Sequence, residues 1–175
     1  TLTMTDLITG WTENTSIRNN ASKWIVQAVT DLQGMFPFPL LVFDSDNGSE
    51  FINHDLIGWA GQREVFFTRS RPYKKNDQAT IESKNNHLVR RYGFYHRYDT
   101  ATELALLNQL WPLVNDRLNY LTPTIKPVGW GENKAGRRKR LYDKPQTPLS
   151  RLLAAGTLSP AQAHELTAYR DGLNP

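Results

Sequence analysis

An apolar run that ends in acidic residues and a tight turn places the strongest constraint on how this chain folds. Residues 39–43 read Pro-Leu-Leu-Val-Phe, and Asn47-Gly48 is a strong turn signal a few positions later. The pattern predicts a short buried strand with Asp44 and Asp46 at its carboxyl tip. Open α/β sheets hold ligands at such tips, whereas Asp and Asn also shape turns by bonding their own backbone. Both roles are open for these carboxylates.

Strand-like and helix-like segments alternate around this run. The predicted strands cover residues 1–7, 11–17, 39–43 and 64–68. The predicted helices cover residues 20–34, 53–61 and 78–92, followed by a long helix that opens with a Thr100-x-x-Glu103 capping box. The first helix is expected to begin at an Asn20 cap and to stop at Gly34. This alternation predicts an α/β core over residues 1–122.

The last third of the chain has a different composition. Residues 123–146 are rich in Pro and Gly and contain the run Arg137-Arg138-Lys139-Arg140, so they are expected to form a linker or an extended basic arm. That run could grip DNA or keep a linker soluble. Residues 147–175 are expected to form a C-terminal helical segment, with a start signal at Ser159-Pro160.

Charge divides the chain into two parts. Residues 1–68 hold 3 Lys or Arg against 8 Asp or Glu, a net charge of −5, while residues 69–175 hold 18 against 9, a net charge of +9. A basic half favours a polyanionic partner, although basic residues also solubilise a surface. The chain has no cysteine, which excludes disulfides and thiolate metal sites. No apolar run is long enough for a membrane span and no signal pattern opens the chain, so a soluble intracellular protein is expected.

Two carboxylates from different elements form the candidate chemical site. Asp46 lies at the predicted strand tip, and Glu82 lies near the start of a predicted helix, with 35 residues between them and an exposed basic loop on the way. Carboxylates brought together in this way can bind Mg²⁺, a hard cation that prefers oxygen ligands and engages phosphates. Phosphodiester displacement with two such ions normally needs three carboxylates.

These residues resemble a known family. Asp46-Asn47-Gly48-Ser49-Glu50-Phe51 and the later segments Tyr73-Lys74-Lys75-Asn76-Asp77-Gln78-Ala79 and Ile81-Glu82-Ser83-Lys84-Asn85 closely resemble the catalytic core of DDE transposases and retroviral-type integrases. The resemblance covers residues 1 to about 122 and is nearest to bacterial insertion-sequence transposases. It implies an RNase H-like mixed sheet flanked by helices, dependence on Mg²⁺ or Mn²⁺, and strand transfer between element ends and target DNA by a homo-oligomer in the bacterial cytoplasm.

The resemblance assigns roles to individual positions. Asp46 and Glu82 match the second and third catalytic and metal-binding acids, and Asp44 is expected to be either a strand residue or a residue that supports the ligands. The first acid lies in such proteins on a strand upstream of residues 2–6, so that strand is expected to be missing here, and Asp6 by the Thr9-Gly10 turn is a poor substitute. The candidate DNA-binding residues are Lys74, Lys75, Gln78, Lys84, Arg90 and Arg91.

The leading hypothesis is therefore DNA transposition or integration by metal-dependent cleavage and strand transfer. The first alternative is a catalytically inactive DNA-binding fragment of a transposase, which the absent acid and the basic half favour. A nuclease of the RNase H type that acts on RNA hybrids is a second alternative.

Overall fold

The computed structural model describes residues 1–45, 54–69, 88–133 and 136–174. Its strands are β1 (Leu2–Thr5), β2 (Thr12–Thr15), β3 (Val42–Ser45), β4 (Phe66–Arg69), β5 (Pro127–Glu132) and β6 (Arg138–Tyr142). Its α-helices are α1 (Ser22–Met35), α2 (His54–Gln62), α3 (Val89–Gly93), α4 (Ala101–Asp116), α5 (Pro148–Ala155) and α6 (Pro160–Gly172). A π-helical segment over Arg117–Leu121 continues directly from α4. The fold is mixed α/β, as predicted.

The chain divides into two compact units. The first contains residues 1–5 and 13–114, and the second contains residues 6–12 and 115–174. Within the described residues the strands pair as β1 with β2, β3 with β4, and β5 with β6. No helix in these ranges is both long enough and apolar enough to cross a membrane.

The core of the first unit lies where α1 packs against β1 and α2. Helix α1 buries one face because its apolar residues recur at helical spacing. The buried residues of α1 are Ile25, Ala28, Val29 and Leu32. They pack with Leu2 and Met4 of β1, Phe43 of β3, and Leu56, Trp59 and Ala60 of α2. The indole Nε1 of Trp59 also donates to Thr30 Oγ1 at 2.8 Å, which joins α2 to α1 by a polar contact.

The predicted limits of two elements were wrong. Helix α1 begins after Ala21, which makes no side-chain capping bond, and it continues through Gly34 to Met35. The structure thus uses neither the predicted Asn20 cap nor the predicted Gly34 stop. The strand expected at residues 39–43 instead covers Val42–Ser45, because pairing with Phe66–Arg69 sets its extent. Asp44 consequently lies inside the strand.

Two helix-start motifs were predicted correctly. The backbone N–H of Glu103 donates to Thr100 Oγ1 at 3.2 Å, and Glu103 Oε2 accepts from the Thr100 backbone N–H at 2.8 Å. Ser159 and Gln162 form the same reciprocal pair at the start of α6. Such boxes satisfy N–H groups that a helix start leaves without intrahelical partners.

In each unit, the side-chain amide of one asparagine bonds both the backbone N–H and the backbone carbonyl of a single residue. In the first unit, Asn108 Oδ1 accepts from the Ser16 backbone N–H at 2.7 Å, and Asn108 Nδ2 donates to the Ser16 carbonyl at 3.1 Å. In the second, Asn119 bonds the N–H and the carbonyl of Thr12 at 2.8 and 2.9 Å. Each amide therefore acts as a neighbouring strand would.

The second unit contains a hydrogen-bonded node at the base of the β5–β6 hairpin. Asp143 Oδ1 accepts from the Lys126 backbone N–H at 2.5 Å, and Asp143 Oδ2 pairs with Arg151 Nη2 at 2.9 Å. Arg151 Nη1 also donates to the Gln146 carbonyl, and Arg151 Nη2 donates to the Thr124 carbonyl. The backbone bond from Lys126 and then the Arg151 guanidinium lower the pKa of Asp143 below its ordinary value of 3.8.

The Asn119 amide gives the first prediction. We expect Asn119→Ala to lower the free energy of unfolding by about 2–4 kcal/mol, because the substitution removes the partner of two buried backbone groups. Urea denaturation followed by circular dichroism measures this change. Asn174→Ala, at an exposed asparagine near the carboxyl terminus, is the matched control and should be neutral. Equal losses in the two variants would contradict the role of the amide.

The lowered pKa of Asp143 gives a second prediction. Because folding lowers this pKa, the ionised carboxylate stabilises the fold above pH 3.8, and this contribution is lost as the pH falls through the lowered value. The difference in unfolding free energy between the wild type and Asp143→Asn should therefore be constant near neutral pH and shrink in acid. Asp171→Asn, at an exposed carboxylate, is the control. A difference that persists unchanged in acid would reject this account.

Candidate functional site

The parallel pairing of β3 with β4 defines the edge of the candidate site. The register runs from Val42 opposite Phe66 to Ser45 opposite Arg69. Both strands therefore end at the same edge of the sheet, β3 at Ser45 and β4 at Arg69. In the sequence, Asp46 directly follows the end of β3, and the basic segment at residues 69–79 begins at the end of β4. This edge matches the general position of ligand sites in open α/β sheets.

Asp44 makes a contact across the two strands. It lies opposite Thr68, and the Thr68 hydroxyl donates to Asp44 Oδ1 at 2.7 Å. Asp44 is exposed, whereas its neighbours Phe43 and Ser45 face the buried side. Cross-strand bonds of this kind fix the register of a strand pair. Asp44 is thus a strand residue, as expected, and Thr68 is a partner that sequence reasoning missed because the pairing register was not known.

Asp6 is engaged in a turn. Its Oδ2 atom accepts hydrogen bonds from both the backbone N–H and the hydroxyl of Thr9, each at 2.6 Å. The Gly10 backbone N–H also donates to the Asp6 carbonyl at 2.9 Å, and Gly10 has a φ of +84°. This is the local bonding by which Asp stabilises turns, so the carboxylate has a structural role.

Most of the predicted site residues lie outside the described residues. These are Asp46, Glu82, Lys74, Lys75, Gln78 and Lys84. Within the described ranges, no group of three or more His, Asp or Glu side chains is arranged to hold a metal ion. The structure therefore defines the sheet edge next to Asp46, and the assignment of the metal ligands stays a prediction.

Arg90 and Arg91 are the two predicted DNA-binding residues that the structure describes. Both are exposed on α3. The guanidinium of Arg90 lies 5.1 Å from the centroid of the Tyr95 ring, and that of Arg91 lies 5.9 Å from the Tyr92 ring. An aromatic ring beneath a guanidinium restricts the orientation of that group.

Comparison with known proteins agrees with this architecture. Residues 1–75, which include β1 through β4 and Asp46, match the family model of the integrase core domain. The uncharacterised protein y4rM of Sinorhizobium fredii (strain NBRC 101917 / NGR234) is 36% identical over 151 residues, which make up 86% of this chain and 43% of that protein. The chain thus spans less than half the length of this relative.

A solved structure shares the fold. The catalytic core domain of BIV integrase superposes with a TM-score of 0.55 and 15% sequence identity, over 87% of this chain and 84% of that one. Residues 1–75 are thus similar to the integrase core domain, and the chain shares the RNase H-like fold of a solved integrase catalytic core.

Proposed function

We propose that this chain is the catalytic part of an enzyme that transposes or integrates DNA by metal-dependent cleavage and strand transfer. The observation that carries the proposal is the shared end of β3 and β4 at Ser45 and Arg69. An acidic motif follows one strand and a basic segment follows the other. Integrase core domains act in polynucleotide transfer, and the family match includes both strands.

Asp46 and Glu82 are the proposed catalytic carboxylates. Their oxygen atoms are the donor type that Mg²⁺ or Mn²⁺ prefers, so the donor set fits the metal that the family implies. When bound, the metal supplies activation of a water or a 3′-hydroxyl and stabilisation of the leaving oxygen. Asp44 is not included in this donor set, because it is a strand residue whose Oδ1 atom accepts from Thr68 across the strand pair.

Basic and polar residues after position 68 are proposed to position the DNA. Arg90 and Arg91 present exposed guanidinium groups on α3, next to aromatic rings. Lys74, Lys75, Gln78 and Lys84 are proposed to contact the backbone near the scissile phosphate. Contacts of this kind fix the register of a protein on DNA without reading its sequence. The partners would be the element ends and the target DNA, bound by a homo-oligomer in the bacterial cytoplasm.

Two isosteric substitutions test the catalytic assignment. In the natural full-length protein, we expect Asp46→Asn and Glu82→Gln each to reduce Mg²⁺-dependent strand transfer by at least about 10³-fold, since both remove a charged ligand. A gel assay with labelled element-end DNA measures the product. Asp44→Asn is the matched control, because it changes a neighbouring carboxylate of the same strand outside the donor set, and it should retain most of the activity.

Each outcome discriminates between the hypotheses. Full activity of either Asp46→Asn or Glu82→Gln would reject the proposed mechanism. Wild-type protein that binds DNA in Mg²⁺ but forms no cleavage product would favour the non-catalytic DNA-binding alternative. Preferential cleavage of RNA in RNA–DNA hybrids would favour the RNase H-type nuclease.

A further inference from the structure

The β5–β6 hairpin carries a basic and aromatic face that the proposed catalytic site does not use. Its strands are antiparallel, with Trp130 opposite Arg140 and Glu132 opposite Arg138. Because alternate residues of a strand share a face, Arg138, Arg140 and Trp130 lie together on one side of the hairpin. Every residue of β6 is exposed, and 54% of Trp130 is accessible to solvent.

Both arginines of this face stack on the same indole ring. The Arg138 guanidinium carbon lies 4.2 Å from the Trp130 ring centroid, and that of Arg140 lies 5.5 Å away. The ring thereby restricts the positions of two planar guanidinium groups on an exposed strand. This arrangement lowers the conformational entropy lost when the arginines bind an oxyanion. Since two guanidinium groups lie over one indole, the face is suited to phosphate contacts.

The charge around this face is unbalanced. Residues 126–144 contain seven Lys or Arg and two Asp or Glu, a net charge of +5. In the part of the chain that the structure describes, neither Arg138 nor Arg140 has a carboxylate within ion-pairing distance. One of the two acids, Asp143, is already paired with Arg151. The hairpin therefore presents positive charge that a polyanion would neutralise.

The hairpin is fixed at its base. The Asp143 backbone N–H donates to the Lys126 carbonyl at 2.9 Å, and Thr124 and Gln146 form a further antiparallel bridge. The largely buried Arg151 side chain then joins both chain segments to α5. A two-stranded hairpin is only marginally stable by itself, so this node is what allows the arginine face to be presented in a defined conformation.

We propose that the β5–β6 hairpin is a second DNA-binding element, which enters a groove of duplex DNA and contacts backbone phosphates through Arg138 and Arg140. A two-stranded β-ribbon has the dimensions that a major groove accepts, and stacked guanidinium groups suit bidentate contact with phosphate. The choice of DNA as the polyanion rests on the proposed function. The inference concerns residues other than the proposed catalytic residues Asp46 and Glu82.

The salt dependence of DNA binding tests this inference. Each phosphate contact contributes about 0.9 to the slope of log K against log salt concentration. In the full-length protein, Arg138→Ala/Arg140→Ala should therefore reduce that slope by about 1.8 and weaken duplex binding by tens of fold at about 0.1 M salt. Fluorescence anisotropy with a labelled duplex measures both quantities. Arg138→Lys/Arg140→Lys should keep the wild-type slope, because it preserves the two charges.

A matched control removes two cations that also lie over tryptophan rings. Lys23 lies 5.0 Å from the Trp24 ring centroid, and Arg63 lies 5.2 Å from that of Trp59. Lys23→Ala/Arg63→Ala should leave the slope unchanged. An equal decrease in this control, an unchanged slope in the hairpin alanine variant, or loss of slope in the lysine variant would overturn the inference. Tighter hairpin-dependent binding to anionic vesicles or to RNA than to duplex DNA would also overturn it.

The two proposals fail in distinguishable ways. If Asp46→Asn retains strand transfer while the hairpin alanine variant loses salt slope, the catalytic assignment fails and the hairpin inference stands. If Asp46→Asn abolishes strand transfer while the hairpin alanine variant binds duplex DNA with the wild-type slope, only the hairpin inference fails.

Discussion

Side chains bond backbone groups at the ends of the short strands in this chain and in the segments next to them. Every sheet in the described residues has two strands, so each strand pairs with another along one edge only. The amides of Asn108 and Asn119 bond the backbone of Ser16 and Thr12, and Arg151 bonds carbonyls at the base of the β5–β6 hairpin. An unsatisfied buried N–H or carbonyl costs about 1–3 kcal/mol. A few polar side chains thus carry much of the stability that a wider sheet would supply.

The same need for pairing fixes the sheet edge at which the catalytic chemistry is proposed. Strand β3 would not fix the direction of the following residues by itself, but its parallel register with β4 places Ser45 and Arg69 side by side at one edge. The Asp44–Thr68 contact holds that register from the exposed face, while Phe43 anchors it in the core. A metal site needs its ligands held to within about half an ångström. Anchoring the strand on both faces would meet part of that requirement for the proposed ligand Asp46.

Sequence patterns predicted the features that local interactions determine. The Thr100–Glu103 capping box and the buried face of α1 follow from spacing alone, and both were confirmed. The extent of β3 could not be predicted in this way, because its partner strand sets its limits. The strands of the β5–β6 hairpin were not predicted. Both faces of the hairpin are largely exposed, so residues 127–142 contain glycine and charged residues and lack the alternating apolar residues that indicate a strand. The contact of Trp130 with Arg138 and Arg140 was missed for the same reason. A tryptophan that closely precedes a run of arginines in the sequence could have indicated it.

The proposed function requires carboxylates that hold a metal and cations that hold DNA. The acidic charge of residues 1–68 and the basic charge of residues 69–175 match these two requirements. Carboxylates that hold a divalent metal repel a DNA backbone until the metal neutralises them, so affinity for DNA must come from elsewhere in the molecule. The residues after 68, with a net charge of +9, are proposed to supply that affinity. Phosphate contacts contribute binding energy and position without reading bases. Any target preference must therefore arise from base contacts or from the deformability of the DNA, because the exposed arginines of α3 and of the hairpin are suited to hold DNA of any sequence.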